Sequence, residues 1–424
     1  MSEQNEQGTT AAGGDALVEQ DHAAKAAEAT EAAEATPPVT PATPATPAAT
    51  GVVPVAVEKY RPAVVADADG IAQAAQLLMQ GGVVAFPTET VYGLGADAAN
   101  AEAVARIFKI KKRPQTHPLI VHIPDASHLE RWAVDIPDTA RRLVGRYWPG
   151  PLTLVLRRAE GVSDLLTGGQ DTIALRVAAH PVPEALLKAM SEGDDGQRRI
   201  GIAAPSANRF GRISPTTAAH VIADLGNDAD LVLDGGACEV GIESTIVDFS
   251  RGEPVVLRPG RISAQDIAAL IGVEPGVPDA ADVTAPRVSG SLAAHYAPRA
   301  KLRMMKRTAM IDALSTHKGQ RIAALALEVN MPRLAPGLVV VVPAVASRYA
   351  HTLYANLRAL DAAGADIILV ETPPGSPAWA GVHDRLSRAA AATPDKPPKV
   401  EKAEKVEKVE QVERVEKVDE VENP

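Results

Sequence analysis

The sequence holds a single cysteine, Cys238, in 424 residues. That excludes an internal disulfide framework and a cysteine-ligated zinc site, and it fits a reducing compartment. No apolar run approaches the ~20 residues that a bilayer-spanning helix requires. The N-terminus has none of the basic, then apolar, then small-residue succession of a signal peptide. A cytoplasmic protein that does not enter a membrane is therefore the expectation. Excess charge is also missing from most of the chain. The formal net charge is −10, but residues 1–57 carry eight acids against Lys25 alone, and residues 393–424 carry ten acids against seven bases. The stretch between is close to neutral and lacks the electrostatic footprint of a bulk nucleic-acid binder. HExxH, paired CxxC, GxSxG, GxGxxG and Walker patterns are absent too, and the scattered histidines suggest no structural metal.

The segments that are present divide the chain. Residues 1–57, with "TPPVTPATPATPAAT" at their centre, have few large apolar groups to offset ordering entropy and are expected to be disordered. Residues 393–424 end in a triplet repeat, "KVEKAEKVEKVEQVERVEKVDEVE". A period of three matches neither helix nor strand, so a solvated tail is expected there. Between the tails, apolar runs such as "GVVAF", "PLIVHI", "PLTLVLRR", "TIALRV", "IGIAAPSA", "LVLDGG", "STIVDF" and "PVVLRPG" read as strands. They are separated by amphipathic segments such as 70–80, 100–112, 136–148, 183–190, 216–225 and 263–272. This is an α/β pattern over residues 58–273, and its neighbouring strands suggest a mixed, twisted sheet with flanking helices. Residues 274–300, rich in Pro, Ala and Ser, read as a linker. Residues 301–392 read as a smaller α/β unit able to hold its own core.

Three places combine a strand edge with small hydroxyl residues. "AFPTETVYGLG" (85–95) follows an apolar run with Thr88, Thr90, Gly93 and Gly95; "APSANRFGRISP" (204–215) contains Ser206, Asn208 and Ser214; and "GIESTIVDF" (241–249) contains Glu243, Ser244 and Thr245. Strand ends opening into polar loops are where open α/β sheets bind ligands; a capped polar turn is the alternative. In "KIKKRPQTHP" (109–118), Lys111 and Arg113 either complement a helix C-terminus or clamp a phosphate. His122 closes a strand, where a lone histidine is more often structural. Arg176 lies inside the apolar strand "TIALRV" and requires a carboxylate partner, from the protein or from a ligand. Arg258 ("LRPGR") and Tyr296 ("AHYAP") fall on the far side of the domain and in the linker.

In this order, "FPTETVYGLG", "KIKKRPQTHPLIVHI", "TIALRV", "APSANRFGRISP", "GIESTIVDF" and "LRPG" resemble the threonylcarbamoyl-AMP synthase family of the YrdC-like fold, over residues of about 70–262. "AHYAP" and the unit ending "HDRLSRAAA" look like the two-domain form of that family, with a Rossmann-like C-terminal α/β domain. The resemblance implies that L-threonine, bicarbonate or carbon dioxide, and ATP give threonylcarbamoyl-AMP and pyrophosphate. A downstream transferase machinery would then modify the adenosine beside the anticodon of tRNA. Direct tRNA contact would be weak at most, and Mg2+ would be bound mainly through ATP. By the same resemblance, Thr90, His122, Arg176, Ser206 and Ser244 would hold threonine. Arg113, His117, Thr172, Ala204, Ser214, Arg258 and Tyr296 would hold ATP, Lys111 with Arg113 would neutralise phosphate charge, and Asn208 would support the site. His117 stands where the family usually has Asn, and "RVSGSLAAHYAP" lacks the Pro-Gly-Met turn of many relatives. An RNA-binding module of the same fold without adenylating activity, or a related carbamoyl-transfer domain, are the competing expectations.

Overall fold

The computed structural model describes residues 60–196, 198–278, 284–316, 319–328 and 338–392. The two tails for which disorder or solvation is expected, 1–57 and 393–424, lie outside the described residues, as does part of the linker.

The first unit is built on one large mixed sheet. Its strands are β1 (Val64–Val65), β2 (Val84–Phe86), β3 (Gly93–Asp97), β4 (Ile120–His122), β5 (Ala133–Val134), β6 (Leu152–Arg158), β7 (Thr172–Arg176), β8 (Ile202–Ala203), β9 (Leu231–Asp234), β10 (Thr245–Asp248) and β11 (Val255–Arg258). They run in the order β1-β9-β2-β3-β8-β4-β7-β6-β10-β11, with β5 on β6. Mixed pairing is visible at β2, parallel to β9 and antiparallel to β3, and at β4, parallel to β7 and antiparallel to β8. The helices are α1 (Ala68–Met79), α2 (Ala101–Lys111), α3 (Leu129–Trp132), α4 (Asp138–Tyr147), α5 (Asp164–Thr167), α6 (Pro181–Ser191), α7 (Ala218–Leu225) and α8 (Ala264–Ile271). Their starts follow side-chain chemistry: Asn100 accepts from Ala103 N–H to open α2, and Ser263 and Asp266 form a reciprocal capping box at α8.

The apolar runs are continuous because both faces of the strands are covered. Ala85 packs into one apolar cluster, while Val84 and Phe86 pack into another; Ala203 and Ile202 divide the same way. Successive side chains on a strand point to opposite faces, so a strand buried on both has no polar alternation. The reading "IGIAAPSA" shrinks to the two residues of β8, since Pro205 offers no N–H to continue a ladder.

One expectation is corrected here. Gly93 and Gly95 do not belong to a Gly-rich loop. They lie in β3, which turns back on β2 with Phe86 opposite Gly93 and Val84 opposite Gly95. Only residues 87–92 form the connection. Glycine at 95 is a packing requirement: a Cβ there would lie 2.5 Å from Phe86 Cε1 and 2.6 Å from Ile202 Cγ2.

The second unit is a parallel four-stranded sheet of β12 (Lys301–Met305), β13 (Ile322–Leu327), β14 (Leu338–Val342) and β15 (Ile367–Glu371), in the order β12-β15-β13-β14. It carries α9 (Arg307–Thr316), α10 (Ala346–Ala362) and α11 (Ala380–Ala391). The strand β12 and the helix α9 have no counterpart in the sequence reading. Lys301 and Arg303 interrupt the apolar pattern of β12, and its pairing with β15 supplies what local sequence does not. Helix α10 buries Tyr349, Leu353, Tyr354, Leu357 and Leu360 at helical spacing.

Candidate active site

The three hydroxyl-rich segments, far apart in sequence, meet. Backbone bonds stitch them together: Tyr92 N–H to Pro215 O (2.9 Å), Ala207 N–H to Tyr92 O (2.8 Å), Leu94 N–H to Pro205 O (2.8 Å) and Val240 N–H to Glu89 O (2.7 Å). They enclose a concavity lined by Thr88, Thr90, Lys111, Arg176, Ser206 and Ser244 among others. Larger but more open depressions occur elsewhere; this is the one on which buried polar groups converge.

Of the site residues expected from sequence, the cavity wall contains Thr90, Lys111, Arg113, His122, Arg176, Ala204, Ser206, Asn208, Ser244, Arg258 and Tyr296. Arg258 and Tyr296, which in sequence fall on the far side of the domain and in the linker, join the same wall, Arg258 because β11 lies beside β10 and Tyr296 because the linker folds over the site. Three expected residues do not line it. Ser214 is fully buried and donates to Glu243 Oε1 at 2.5 Å. Thr172 opens β7 opposite Arg157. His117 lies just outside, its ring edge on Phe210 at 5.3 Å.

Arg176 has a partner inside the protein. Glu89 Oε1 lies 2.6 Å from its Nη2, with both side chains about 95% buried. Its Nε donates to Gly150 O (3.2 Å) and its Nη1 to Thr90 Oγ1 (2.9 Å). The carboxylate that the sequence demanded is thus Glu89, whose role the sequence left open. The Thr88 and Thr90 hydroxyls lie 2.8 Å apart, and Thr88 Oγ1 donates to Val91 O at 2.7 Å while accepting from the Thr90 and Val91 N–H groups. Thr90 Oγ1 accepts from Arg176 and keeps a lone pair for a ligand.

Lys111 differs. Its ammonium, buried at the end of α2, donates to the carbonyls of Ser206 and Asn208. Among the described residues no carboxylate forms an ion pair with it. Burial first, then the neighbouring Arg113, push its pKa well below the ordinary lysine value. Arg113 donates to Pro118 O at 2.8 Å and lies 5.4 Å above the Phe210 ring; burial lowers it to about 10. Ser244 Oγ is held by Thr153 Oγ1 (2.8 Å) and by Arg258 Nη2 (3.1 Å). Arg258 also donates to Ser244 O and, from Nη1, to Ser289 O of the linker (2.8 Å). His122 is pushed down to about 3 by burial and by Arg176, and its Nδ1 has no partner. It is neutral at any working pH. Asn208 Oδ1, His295 Nδ1 and the Tyr296 hydroxyl, on other residues of the wall, also have no partners.

Sequence reasoning noticed Glu243 but gave it no role, and it missed Tyr354 and Arg385 altogether. Arg385 Nε donates to Glu243 Oε2 at 2.8 Å and Tyr354 OH donates to the same oxygen at 2.9 Å. A signal existed: Arg385 occupies the buried stripe of α11 between Val382 and Ala389, where an unpaired charge would be prohibitive.

Both units match known proteins. Residues 76–260 match the family described as Telomere recombination, and residues 262–391 match the one described as Threonylcarbamoyl-AMP synthase, C-terminal domain. A threonylcarbamoyl-AMP synthase of Pyrococcus abyssi is 37% identical over 75% of this chain and 93% of its own length. One from Bacillus subtilis is 38% identical over 76% of this chain and 92% of its own. The solved structure of P. abyssi Sua5 complexed with L-threonine superposes with a TM-score of 0.70 at 35% identity, covering 76% of this chain and 95% of that one. On the strength of that identity, spread over both units, the chain belongs to the threonylcarbamoyl-AMP synthase family.

Proposed function

We propose that the protein is an L-threonylcarbamoyladenylate synthase, a nucleotidyltransferase that converts L-threonine, bicarbonate or carbon dioxide, and ATP to threonylcarbamoyl-AMP and pyrophosphate. The observation that carries this reading is the pairing of two unlike cation sites in one cavity. Arg176 is oriented by Glu89 and Gly150, while Lys111 is buried with no carboxylate ion-paired to it among the described residues. A buried ammonium without a counter-ion suits a ligand that brings several negative charges, and a triphosphate does.

Threonine would sit against Thr90, His122, Arg176, Ser206 and Ser244. Thr90 keeps a lone pair with which it would receive the amine or hydroxyl of threonine, leaving the carboxylate to Arg176. Lys111, Arg113, Ala204, Arg258 and Tyr296 would surround the nucleotide. His117, Thr172 and Ser214 would act from outside the wall, Ser214 by holding Glu243. The neutral amine of threonine attacks carbon dioxide, or the carbon of bicarbonate with loss of water, and sheds a proton to become a carbamate. A carbamate oxygen then attacks the α-phosphorus of ATP, and the bond to pyrophosphate breaks. No side chain forms a bond, so catalysis rests on positioning and on neutralising charge on the departing pyrophosphate.

Mg2+ would enter on the phosphates of ATP. The residues themselves do not form a resident metal site: among the described residues no group of three His, Cys, Asp or Glu could hold an ion. Glu243, on the cavity wall, and Glu89, behind Arg176, are each ion-paired to an arginine. The product would pass to a transferase that modifies tRNA. No helix among the described residues is long and apolar enough to cross a membrane, in keeping with a cytoplasmic role.

The test is pyrophosphate release. Release that requires threonine and bicarbonate together supports the reading. No release at any threonine concentration overturns it, and RNA binding with a steep salt dependence would then favour a binding module.

A further inference from the structure

The cavity wall nearest the second unit presents a carboxylate to a pocket built for anions. Glu243 lines the cavity, beside Ser244 and within the same segment that would hold threonine. Burial alone would raise its pKa, yet Arg385 and then Arg258 overcome that and hold it at about 2. It is therefore an anion throughout the working range. Left alone it would repel a carboxylate or a phosphate a few ångströms away.

The cation in direct contact with it comes from the other unit. Arg385, in α11, is 1% exposed. Nε donates to Glu243 Oε2 (2.8 Å), Nη2 to Glu243 O (3.3 Å) and Nη1 to Pro259 O (2.7 Å). The guanidinium also lies over the Tyr296 ring at 5.3 Å, and that ring stacks on Tyr354 at 5.9 Å. One side chain thus ties the Glu243–Ser244 loop, the turn after β11 and the linker to the second unit. The loop reaches it because Gly241, at φ +80°, lets the backbone touch α10: a Cβ there would lie 2.4 Å from His351 O.

We propose that Arg385 is a positioning residue for the reaction, and that the second unit contributes to catalysis by supplying it. Through Glu243 it removes a negative charge from the rim of an anion pocket and fixes the loop carrying Ser244. This rests on the synthase reading of the cavity. Failure of that reading would show in the unmodified protein, as absent pyrophosphate release; failure of this inference shows only in the variants.

The test uses the full chain, with pyrophosphate release titrated separately in threonine and ATP. Arg385→Gln keeps a polar side chain but removes the ion-paired partner of Glu243, leaving it only the more distant Arg258 charge and the Ser214 and Tyr354 hydroxyls. It should raise the KM for threonine and ATP at least about tenfold, in line with a lost buried charge partner. Glu243→Gln/Arg385→Gln removes the Glu243 charge together with its partner and leaves Asp384, the other carboxylate on Arg385, to Arg388; it should return both KM values to within about threefold of the unmodified protein. Unchanged KM values in Arg385→Gln, or a double variant as impaired as the single one, would overturn the proposal. If Arg385→Gln does not fold, Tyr354→Phe replaces it, deleting one donor to Glu243 without altering charge. A KM raised about threefold at unchanged kcat and melting temperature supports the proposal, and an unchanged KM overturns it.

Discussion

Two buried cations face the same cavity and are built on opposite terms. Arg176 is oriented before any ligand arrives, by a carboxylate at 2.6 Å, a carbonyl and a hydroxyl, while its Nη2 makes no hydrogen bond. Lys111 has only carbonyl acceptors, and its burial disfavours its own charge. The difference separates two tasks. A charge that must be held in one orientation to read a small amino acid is fixed by the protein. A charge that must respond to a large anion is left for the ligand to stabilise.

Substituting the two residues should expose this contrast most sharply. Arg176→Ala strands Glu89 as an uncompensated buried anion. The expected cost is about 3–5 kcal/mol of stability, together with loss of threonine use by more than about a hundredfold. Chemical denaturation and pyrophosphate release measure the two effects. Glu89→Gln/Arg176→Gln should recover much of the stability but not the turnover. If it recovers both, Arg176 is only structural. Lys111→Met should behave in the opposite way. No carboxylate is left behind, so stability should move by less than about 1 kcal/mol, while kcat/KM for ATP falls on the order of a hundredfold or more. A large stability loss in Lys111→Met would erase the distinction.

Buried groups without a counter-ion also set the response to acid. His122 and His295 are depressed to about 3 and His220 to about 4, each first by burial. Their folded values lie below the ordinary 6.5, so the unfolded chain takes up protons first as pH falls. Their contribution is complete above pH 6.5 and is lost below it, by at most about 1.4 kcal/mol per pH unit for each histidine. Glu243, depressed to about 2, adds a further loss only below about pH 4.5. Denaturant midpoints between pH 8 and 5 should fall from 6.5 downward, less steeply in His220→Gln; a flat profile would contradict this assignment. The smallest effect belongs to Thr90. Thr90→Ser keeps its acceptor and should alter the KM for threonine by less than about twofold, whereas Thr90→Val should raise it about tenfold. Equal values for the two would show that Thr90 fills space rather than accepting a hydrogen bond.

Much of the site was legible because its chemistry is expensive to bury. An arginine in an apolar strand and a lysine–arginine pair at a helix end stand out wherever they fold. Residues 301–316 were not legible, because β12 depends on pairing with β15 across more than sixty positions. Gly95 was misread because its reason is the Phe86 and Ile202 side chains, neither of which is a sequence neighbour on its own strand.

The sequence by itself determined the α/β order, the doubly buried strands and the kinds of group available for an anionic, polar substrate, since burial patterns and residue chemistry are local properties. Only the tertiary structure decided how the charges are paired: Glu89 with Arg176, Arg385 with Glu243, and no carboxylate for Lys111 among the described residues. Ion pairing depends on distances of a few ångströms between segments as much as 142 residues apart, and no local pattern carries that information.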